Sequence, residues 1–194
     1  EEMSSLICSL LLKKRVGIIS GGTLKQFEQQ FLSNLKCPPN LLLNLYLLPM
    51  SGTSFYKWSE GITDLQNIYA ENFTDEEKNK IINAINIAVR ESEVEIPVEA
   101  YGEKIEDRKS QITFSALGQN APLLFKKKWD PTTEKRRKIA DILQKNIPDF
   151  EIKIGGTTSI DITRKGMDKG YGVTKMIAYL KISKPEVLFV GDKL

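Results

Sequence analysis

The spacing of apolar and polar residues changes along the chain and predicts several kinds of element. The segment 1–14 has the apolar spacing of an amphipathic helix, and the segment 24–35 repeats that spacing. Two short apolar runs, at 15–20 and 42–49, are typical of buried strands. The resulting order of helix, strand, helix and strand is typical of a parallel, doubly wound sheet.

The pattern of residues 56–164 is different, because several strands there alternate between apolar and polar positions. One predicted helix begins after Thr74, which can form a capping box with Glu77. The other predicted elements of this segment are a helix at 130–147 and strands at 110–118, 150–156 and 158–163. Alternating strands of this kind are typical of an antiparallel sheet, here within an α+β domain.

The last part of the chain returns to the first pattern, with a predicted helix at 169–183 and a buried strand at 187–190. We therefore predict an α/β fold. Its core contains a parallel sheet and is formed by 1–55 and 165–194. An α+β domain at 56–164 is inserted into that core.

The composition is that of an ordinary globular protein, with 194 residues, 41% of them hydrophobic and 27% charged, and a net charge of +3. This mild charge argues against a general nucleic-acid binder. The basic run 126–138 agrees with that, because Asp130 and Glu134 interrupt it, as is typical of a solvated helix face. The chain has no histidine, which excludes histidine-dependent triads and removes the commonest metal ligand. Any metal is therefore expected to be a hard, oxygen-bound ion such as Mg²⁺.

Cysteine content and the longest apolar stretches bear on the compartment. Cys8 and Cys37 are too few for a disulfide framework and favour a reducing compartment. The longest apolar stretches, near the start and at 41–50, are too short to span a bilayer. The opening residues Glu1 and Glu2 do not resemble a signal peptide. These features predict a soluble cytoplasmic protein without a membrane partner.

Three places could contribute chemistry, although each also has a plainer interpretation. Ser20 ends a predicted strand and precedes Gly21, Gly22 and a helix start, which suits an anion site but also a tight turn. Lys169 begins a helix and could neutralise a phosphate, but most lysines are simply solvated. Asp192 follows the last apolar run and could bind Mg²⁺ or cap a helix.

The combination of these places is more informative than its parts. A hydroxyl, a lysine and an acid follow strand ends in that order, with an insert between the first and the second. This order resembles motifs two, three and four of the haloacid dehalogenase-like (HAD) phosphatase superfamily. Within the insert and just after it, RKSQITFSALGQ (108–119) and GGTTSIDITRKGMDKGYG (155–172) resemble the eukaryotic phosphomannomutase branch.

The resemblance implies a role for each matching residue. Ser20 would hydrogen-bond the transferring phosphoryl group, and Lys169 would bridge that group and the nucleophile. Asp192 would hold Mg²⁺ through its carboxylate. In the inserted domain, which corresponds to the cap of the family, the positions that hold the sugar phosphate are matched by Arg108, Ser159 and Asp161.

Two further cap positions, Gln119 and Lys126, depart from the family pattern, because the mutases have arginines there. A mutase must grip a second phosphate in the cap, and forked guanidinium groups suit that task. The resemblance therefore favours a Mg²⁺-dependent phosphatase that acts on a sugar phosphate through an aspartyl-phosphate. A phosphomannomutase is the alternative within this class, and a non-catalytic sugar-phosphate binding module is the alternative from another class.

The nucleophile motif of the superfamily, D-x-D-x-T on the first core strand, does not occur in the sequence. The sequence is therefore expected to be the middle of a longer protein and to be inactive by itself. The missing strand would lie between 16–19 and 187–190, which predicts that these two strands are about 10 Å apart, two strand spacings. The sequence does not indicate an oligomeric state.

Overall fold

The structure is a computed structural model that describes residues 2–61 and 64–191. Its helices and strands, in chain order, are α1 (Glu2–Leu11), β1 (Val16–Ile19), α2 (Leu24–Gln30), α3 (Pro39–Leu42), β2 (Leu45–Leu48), β3 (Ser54–Lys57), β4 (Gln66–Ala70), α4 (Asp75–Glu91), β5 (Ile105–Asp107), β6 (Gln111–Ser115), α5 (Leu123–Trp129), α6 (Glu134–Asn146), β7 (Phe150–Gly155), β8 (Ser159–Arg164) and α7 (Lys169–Leu180). None of the helices in these two ranges is long and apolar enough to cross a membrane.

The chain divides into two compact units. The first unit is Glu1–Ala70 with Met167–Leu194, and the second unit is Glu71–Gly166. The sequence pattern predicts the first boundary after residue 55, whereas the first unit continues to residue 70. The reason is β4, which the pattern does not predict and which pairs antiparallel with β3. Residues 56–70 therefore complete the sheet of the first unit.

The first unit is built on a four-stranded sheet in the order β1-β2-β3-β4. β1 and β2 are parallel, as the sequence predicts, while β3 and β4 run antiparallel to their neighbours. All of β2 is buried, because its side chains alternate between two apolar clusters. Phe27 of α2 belongs to one cluster, and Met176 of α7 packs against the other. Helices therefore cover both faces of this sheet.

The predicted buried strand at 187–190 is not formed. Within the described residues this segment pairs with no strand, and Leu188 and Val190 are 88% and 82% exposed. β1 pairs there with β2 alone, so no ladder joins 16–19 to 187–190. An apolar run becomes a buried strand only where a neighbouring strand satisfies its backbone and covers its side chains. The predicted separation of the two segments stays a prediction.

The two cysteines form a disulfide, which corrects the expectation of reduced thiols. Cys8 lies in α1 and Cys37 lies just before α3, and their Cα atoms are 5.4 Å apart. Both side chains pack against the apolar cluster that contains Leu11 and Leu41, which brings them together across a sequence separation of 29 residues. The prediction of a cytoplasmic location loses this part of its support.

The second unit has a four-stranded antiparallel sheet in the order β5-β6-β8-β7. Alternate residues of its strands, such as Ile112 and Ile160, join α4 and α6 in one apolar core. α4 begins as the sequence predicts, because Thr74 and Glu77 form a capping box with hydrogen bonds of 2.7 and 3.2 Å. The remaining alternate positions of the sheet are mostly polar and lie on the face opposite the helices.

The basic run 126–138 is not one solvated helix face. It spans the end of α5 and the start of α6, and Arg136 within it is only 2% exposed. Nε of Arg136 donates to Oδ2 of Asp130 at 2.8 Å, and NH1 donates to the carbonyl oxygens of Gly155 and Gly156. Asp130 also accepts the backbone N–H groups of Lys135 and Arg136. The predicted helix at 130–147 therefore begins at 134. Asp130 lies before the helix, and its carboxylate accepts N–H groups of the first helical turn.

Arg164 ties the end of the second unit to its beginning. Its NH1 donates to the carbonyl of Glu71 at 2.9 Å and its NH2 to the carbonyl of Asn72 at 2.8 Å. The same guanidinium pairs with the carboxylate of Glu77 at 2.6 and 2.8 Å. We call this arrangement the Arg164 clasp. The hydrogen bonds from Arg164 are the largest cause that lowers the pKa of Glu77 to about 2.

Replacing Glu77 with glutamine is expected to lower the free energy of unfolding of the second unit by about 1–3 kcal/mol at neutral pH. The pKa of Glu77 is lower in the folded state, so its contribution is complete above about 4.5 and is lost as the pH falls towards 2. The stability difference between the wild type and Glu77→Gln should therefore shrink over that range. Urea titrations at several pH values measure it.

The control for this experiment is Glu76→Gln, because Glu76 is an exposed neighbour in the same helical turn. It should change stability by less than about 0.5 kcal/mol. A difference for Glu77→Gln that stays constant from pH 7 to pH 3 would contradict the assignment of the clasp as the source.

Candidate active site

The loop after β1 is bonded to the loop after β2. The N–H of Ser20 donates to the carbonyl of Leu48 at 3.2 Å, and the carbonyl of Ser20 accepts the N–H of Ser51 at 2.8 Å. The carbonyl of Gly22 accepts the N–H of Met50 at 2.9 Å. The position of Ser20 is therefore fixed by the backbone of the neighbouring parallel strand.

Three backbone N–H groups of the turn that follows Ser20 have partners within the turn itself. The N–H of Gly22 donates to Oγ of Ser20 at 3.2 Å. Thr23 and Gln26 form a capping box at the start of α2, which uses the N–H groups of both residues. Because Oγ of Ser20 is an acceptor in this turn, its own proton remains able to donate to an anion.

Lys169 is the first residue of α7, and Asp168 caps this helix by accepting the N–H of Tyr171 at 3.0 Å. α7 lies directly against the turn after β2. A side chain on Gly172 would place its Cβ 2.7 Å from the Cα of Gly52. Lys169 itself is exposed, and no hydrogen bond joins its side chain to Ser20 among the residues described.

Met50, Ser51 and Gly52 form a turn of left-handed residues, with φ of 53°, 58° and 87°. This conformation lets the turn approach both the loop at Ser20 and the start of α7. These residues follow the predicted strand at 42–49, and the sequence alone assigned them no role. The available signal was the segment PMSGT, in which a proline and a glycine flank Met50 and Ser51. Ser51 is therefore a residue that the sequence interpretation missed at this edge of the sheet.

The residue predicted to hold Mg²⁺, Asp192, lies outside the described residues. Within residues 2–61 and 64–191, no group of three or more Cys, His, Asp or Glu side chains could hold a metal ion. The described side chains therefore do not by themselves form a Mg²⁺ site.

The polar face of the second unit carries a row of residues across all four strands. The register places Glu106, Thr113, Asp161 and Lys153 directly opposite one another in β5, β6, β8 and β7. Cross-strand neighbours on one face lie about 5 Å apart, so their side chains interact. We call this set the polar row. It contains Asp161, one of the residues that the sequence predicts to hold a sugar phosphate.

Arg108 lies in the turn between β5 and β6 and is held by the polar row. Its Nε and NH2 both donate to Oε2 of Glu106, at 2.8 and 2.7 Å. Its NH1 makes no hydrogen bond among the residues described, so that end of the guanidinium can receive an anion. Ser159 stands two residues before Asp161 on the same face of β8, opposite Ser115 of β6. The fold thus brings Arg108, Ser159 and Asp161 to one face of the sheet.

Gln119, in the loop that follows β6, and Lys126, in α5, contact each other. Nζ of Lys126 donates to the backbone carbonyl of Gln119 at 2.8 Å. Nε2 of Gln119 is buried and has no hydrogen-bond partner in the described part of the chain. The lysine ammonium therefore has a protein acceptor, unlike the NH1 end of Arg108.

Residues 3–194 match the family model described as eukaryotic phosphomannomutase. A phosphomannomutase of Encephalitozoon cuniculi (strain GB-M1) is 29% identical over 200 residues, which cover 99% of this chain and 72% of that protein. Phosphomannomutase 2 of Dictyostelium discoideum is 25% identical over 198 residues, which cover 99% of this chain and 74% of that protein.

Solved structures with the same fold share little sequence with this chain. A Plasmodium falciparum IMP-nucleotidase structure has a TM-score of 0.68 at 15% identity and covers 100% of this chain and 55% of its own. A haloacid dehalogenase-like hydrolase from Bacteroides thetaiotaomicron has a TM-score of 0.62 at 12% identity, with coverages of 97% and 73%. These likenesses confirm the predicted α/β fold of the HAD type. The chain spans about half the length of the first of these structures.

Proposed function

Because the chain belongs to the eukaryotic phosphomannomutase family, we propose that the full-length protein is a phosphomannomutase. It would be an enzyme that moves a phosphoryl group between two positions of a hexose phosphate. The observation that carries the proposal is the extent of the family match, which covers both units from residue 3 to residue 194. A binding module without catalysis is not favoured, because the match includes the segments that hold Ser20 and Lys169.

The first unit would bind the phosphoryl group that is transferred. The hydroxyl of Ser20 can donate to a phosphoryl oxygen, because its own oxygen already accepts from Gly22. Lys169 supplies a point charge at the start of α7. The aspartate nucleophile that the resemblance implies would come from a D-x-D-x-T motif, which this sequence does not contain. We also propose Mg²⁺ as the cofactor, with Asp192 as a ligand, since a hard ion stabilises charge on phosphoryl oxygens.

The second unit would hold the rest of the substrate. Arg108 has one guanidinium edge on Glu106 and its NH1 end open, which suits contact with the phosphate that is not transferred. Asp161 accepts hydrogen bonds only and suits a sugar hydroxyl. The hydroxyl of Ser159, on the same face of β8, can donate or accept a hydrogen bond with the sugar phosphate. These roles are proposals that depend on the family match and on the common face of the three residues.

A second candidate, hydrolysis of the sugar phosphate, is favoured by Gln119 and Lys126. The lysine ammonium is engaged by the backbone carbonyl of Gln119, so it offers less to a second phosphate than a forked arginine would. A weaker grip in the cap would release the sugar before the second transfer. We place this candidate behind the mutase because the family match includes these positions.

We expect the full-length protein, incubated with Mg²⁺ and mannose 1-phosphate, to form mannose 6-phosphate at least about tenfold faster than inorganic phosphate. A tenfold ratio corresponds to about 1.4 kcal/mol between the two outcomes. Phosphorus NMR follows both products in one sample, and glucose 1-phosphate serves as a second substrate. Phosphate release that equals or exceeds isomer formation would favour the hydrolase instead.

A further inference from the structure

Thr113 is a buried residue in the middle of β6 whose hydroxyl joins two polar side chains. Nε2 of Gln111 lies 2.9 Å from its Oγ1, and Oδ1 of Asp161 lies 2.8 Å from the same atom. The residue is only 2% exposed. Buried hydroxyl groups of this kind are normally hydrogen-bonded, and this one has partners on both sides.

The direction of these hydrogen bonds follows from the chemistry of the three groups. An ionised carboxylate only accepts, so the single proton of Thr113 must point at Asp161. The amide of Gln111 then donates to the remaining lone pair of the threonine oxygen. The chain of donors therefore runs from Gln111 through Thr113 to Asp161. Its effect is to fix Oδ1 of Asp161.

The other oxygen of Asp161 lies above the end of β7. A Cβ added to Gly155 would come within 2.6 Å of Oδ2, so the carboxylate occupies space that only a glycine leaves open. Asp161 is partly exposed, and Oδ2 makes no hydrogen bond among the residues described. One oxygen is thus anchored by the protein and the other is left to accept.

We propose that Thr113, oriented by Gln111, is a positioning residue that holds Asp161 ready to accept a hydroxyl of the sugar phosphate. The inference rests on the proposed function, because that function gives Asp161 its substrate. Thr113 would not touch the substrate. Because Thr113 already orders the Asp161 side chain, substrate binding would not lose entropy by ordering it. Loss of Thr113 should therefore weaken binding of the ground state and of the transition state alike.

The second unit contains a matched control for Thr113. Thr163 lies in the neighbouring strand β8 on the same face of the sheet, opposite Gln111. Its Oγ1 is buried but has no hydrogen-bond partner among the residues described. Replacing Thr163 with valine removes a buried hydroxyl that makes no hydrogen bond to the described residues. A general effect of threonine-to-valine changes in this sheet would therefore appear in both variants.

The test measures KM and kcat of the full-length protein for mannose 1-phosphate. Thr113→Val is expected to raise KM about tenfold and to change kcat less than about twofold, the pattern of lost uniform binding. Thr113→Ser retains the hydroxyl and should restore the wild-type KM, and Thr163→Val should leave it unchanged. An unchanged KM in Thr113→Val, or an equal rise in Thr163→Val, would overturn the proposal.

Two further measurements keep the inference separate from the proposed function. If the wild type converts no hexose phosphate, the proposed function fails, and NMR of the Asp161 side chain then decides the inference. One rotamer in the wild type and averaging in Thr113→Val alone would support it, and equal spectra would overturn it. If Thr113→Val does not fold, Gln111→Leu is measured in its place. This variant is expected to raise KM about threefold, and an unchanged KM would overturn the proposal.

Discussion

Replacing Arg136 with alanine is expected to lower the free energy of unfolding of the second unit by about 3–5 kcal/mol. The guanidinium is the buried partner of Asp130, and both side chains are almost completely excluded from solvent. Burial alone would raise the pKa of Asp130, yet the hydrogen bonds from Arg136 hold that pKa below its usual value. Removal of the arginine side chain leaves a charged, buried carboxylate that has no cationic partner and keeps only the backbone N–H groups of Lys135 and Arg136. Urea unfolding followed by Trp129 fluorescence, in a Trp58→Phe background, measures the change.

Two further variants make this experiment decisive. Arg137→Ala removes the same charge one residue later, from an exposed position, and should change stability by less than about 0.5 kcal/mol. The double variant Asp130→Leu with Arg136→Met removes both charges and should recover a large part of the loss, since an apolar pair can replace a buried ion pair. A loss below about 1 kcal/mol in Arg136→Ala would show that the pair is not needed.

Replacing Gly52 with alanine is expected to destabilise the first unit by about 2–4 kcal/mol. Gly52 has a φ of 87°, and its added Cβ would overlap the Cα of Gly172 at the start of α7. The left-handed backbone costs about 1 kcal/mol for a residue with a side chain, and the overlap adds a packing cost of about 1–3 kcal/mol. Displacement of α7 would also move Lys169. Thermal unfolding measures the first effect, and turnover by the full-length protein measures the second.

The control isolates the overlap from the backbone strain. Gly61 has a φ of 71°, and a Cβ added there meets nothing within 4 Å. Gly61→Ala should therefore cost only the backbone term of about 1 kcal/mol. Equal losses for the two variants would mean that α7 does not press against the turn at Gly52.

Local signals in the sequence predicted local structure well. The capping box of Thr74 and Glu77 depends on residues three positions apart, so the sequence alone identifies it, and the structure confirms it. The parallel pairing of β1 and β2 followed from apolar runs separated by a helix. The first inference depends on a pattern within one helical turn, and the second depends on the order of elements along the chain.

Features that depend on distant partners could not be predicted in this way. Arg136 looks like one more cation in a basic run, and only the fold brings the carbonyls of Gly155 and Gly156 to it. Cys8 and Cys37 form a disulfide because two segments pack on one cluster. The run at 187–190 has the composition of a buried strand, but composition does not supply a neighbouring strand.

The sequence likewise predicted some residues of the candidate site and missed others. Ser20, Lys169, Arg108 and Asp161 were predicted through a family resemblance. The structure places Ser20 directly after β1 and Lys169 at the start of α7, and it places Arg108 and Asp161 on one face of the sheet in the second unit. Thr113 was not identified, because a threonine in an alternating strand has no distinguishing pattern. Only the register that sets it opposite Asp161 reveals its hydrogen bond.

The Arg164 clasp has a consequence for protein engineering. One guanidinium reaches the carbonyls of Glu71 and Asn72 from the end of the last strand of the second unit, so the two points where the chain enters and leaves that unit are close neighbours. A segment with adjacent ends can be transplanted into a surface loop of an unrelated host without stretching either junction. The clasp would travel with it, since Arg164, Glu71, Asn72 and Glu77 all lie inside the grafted piece.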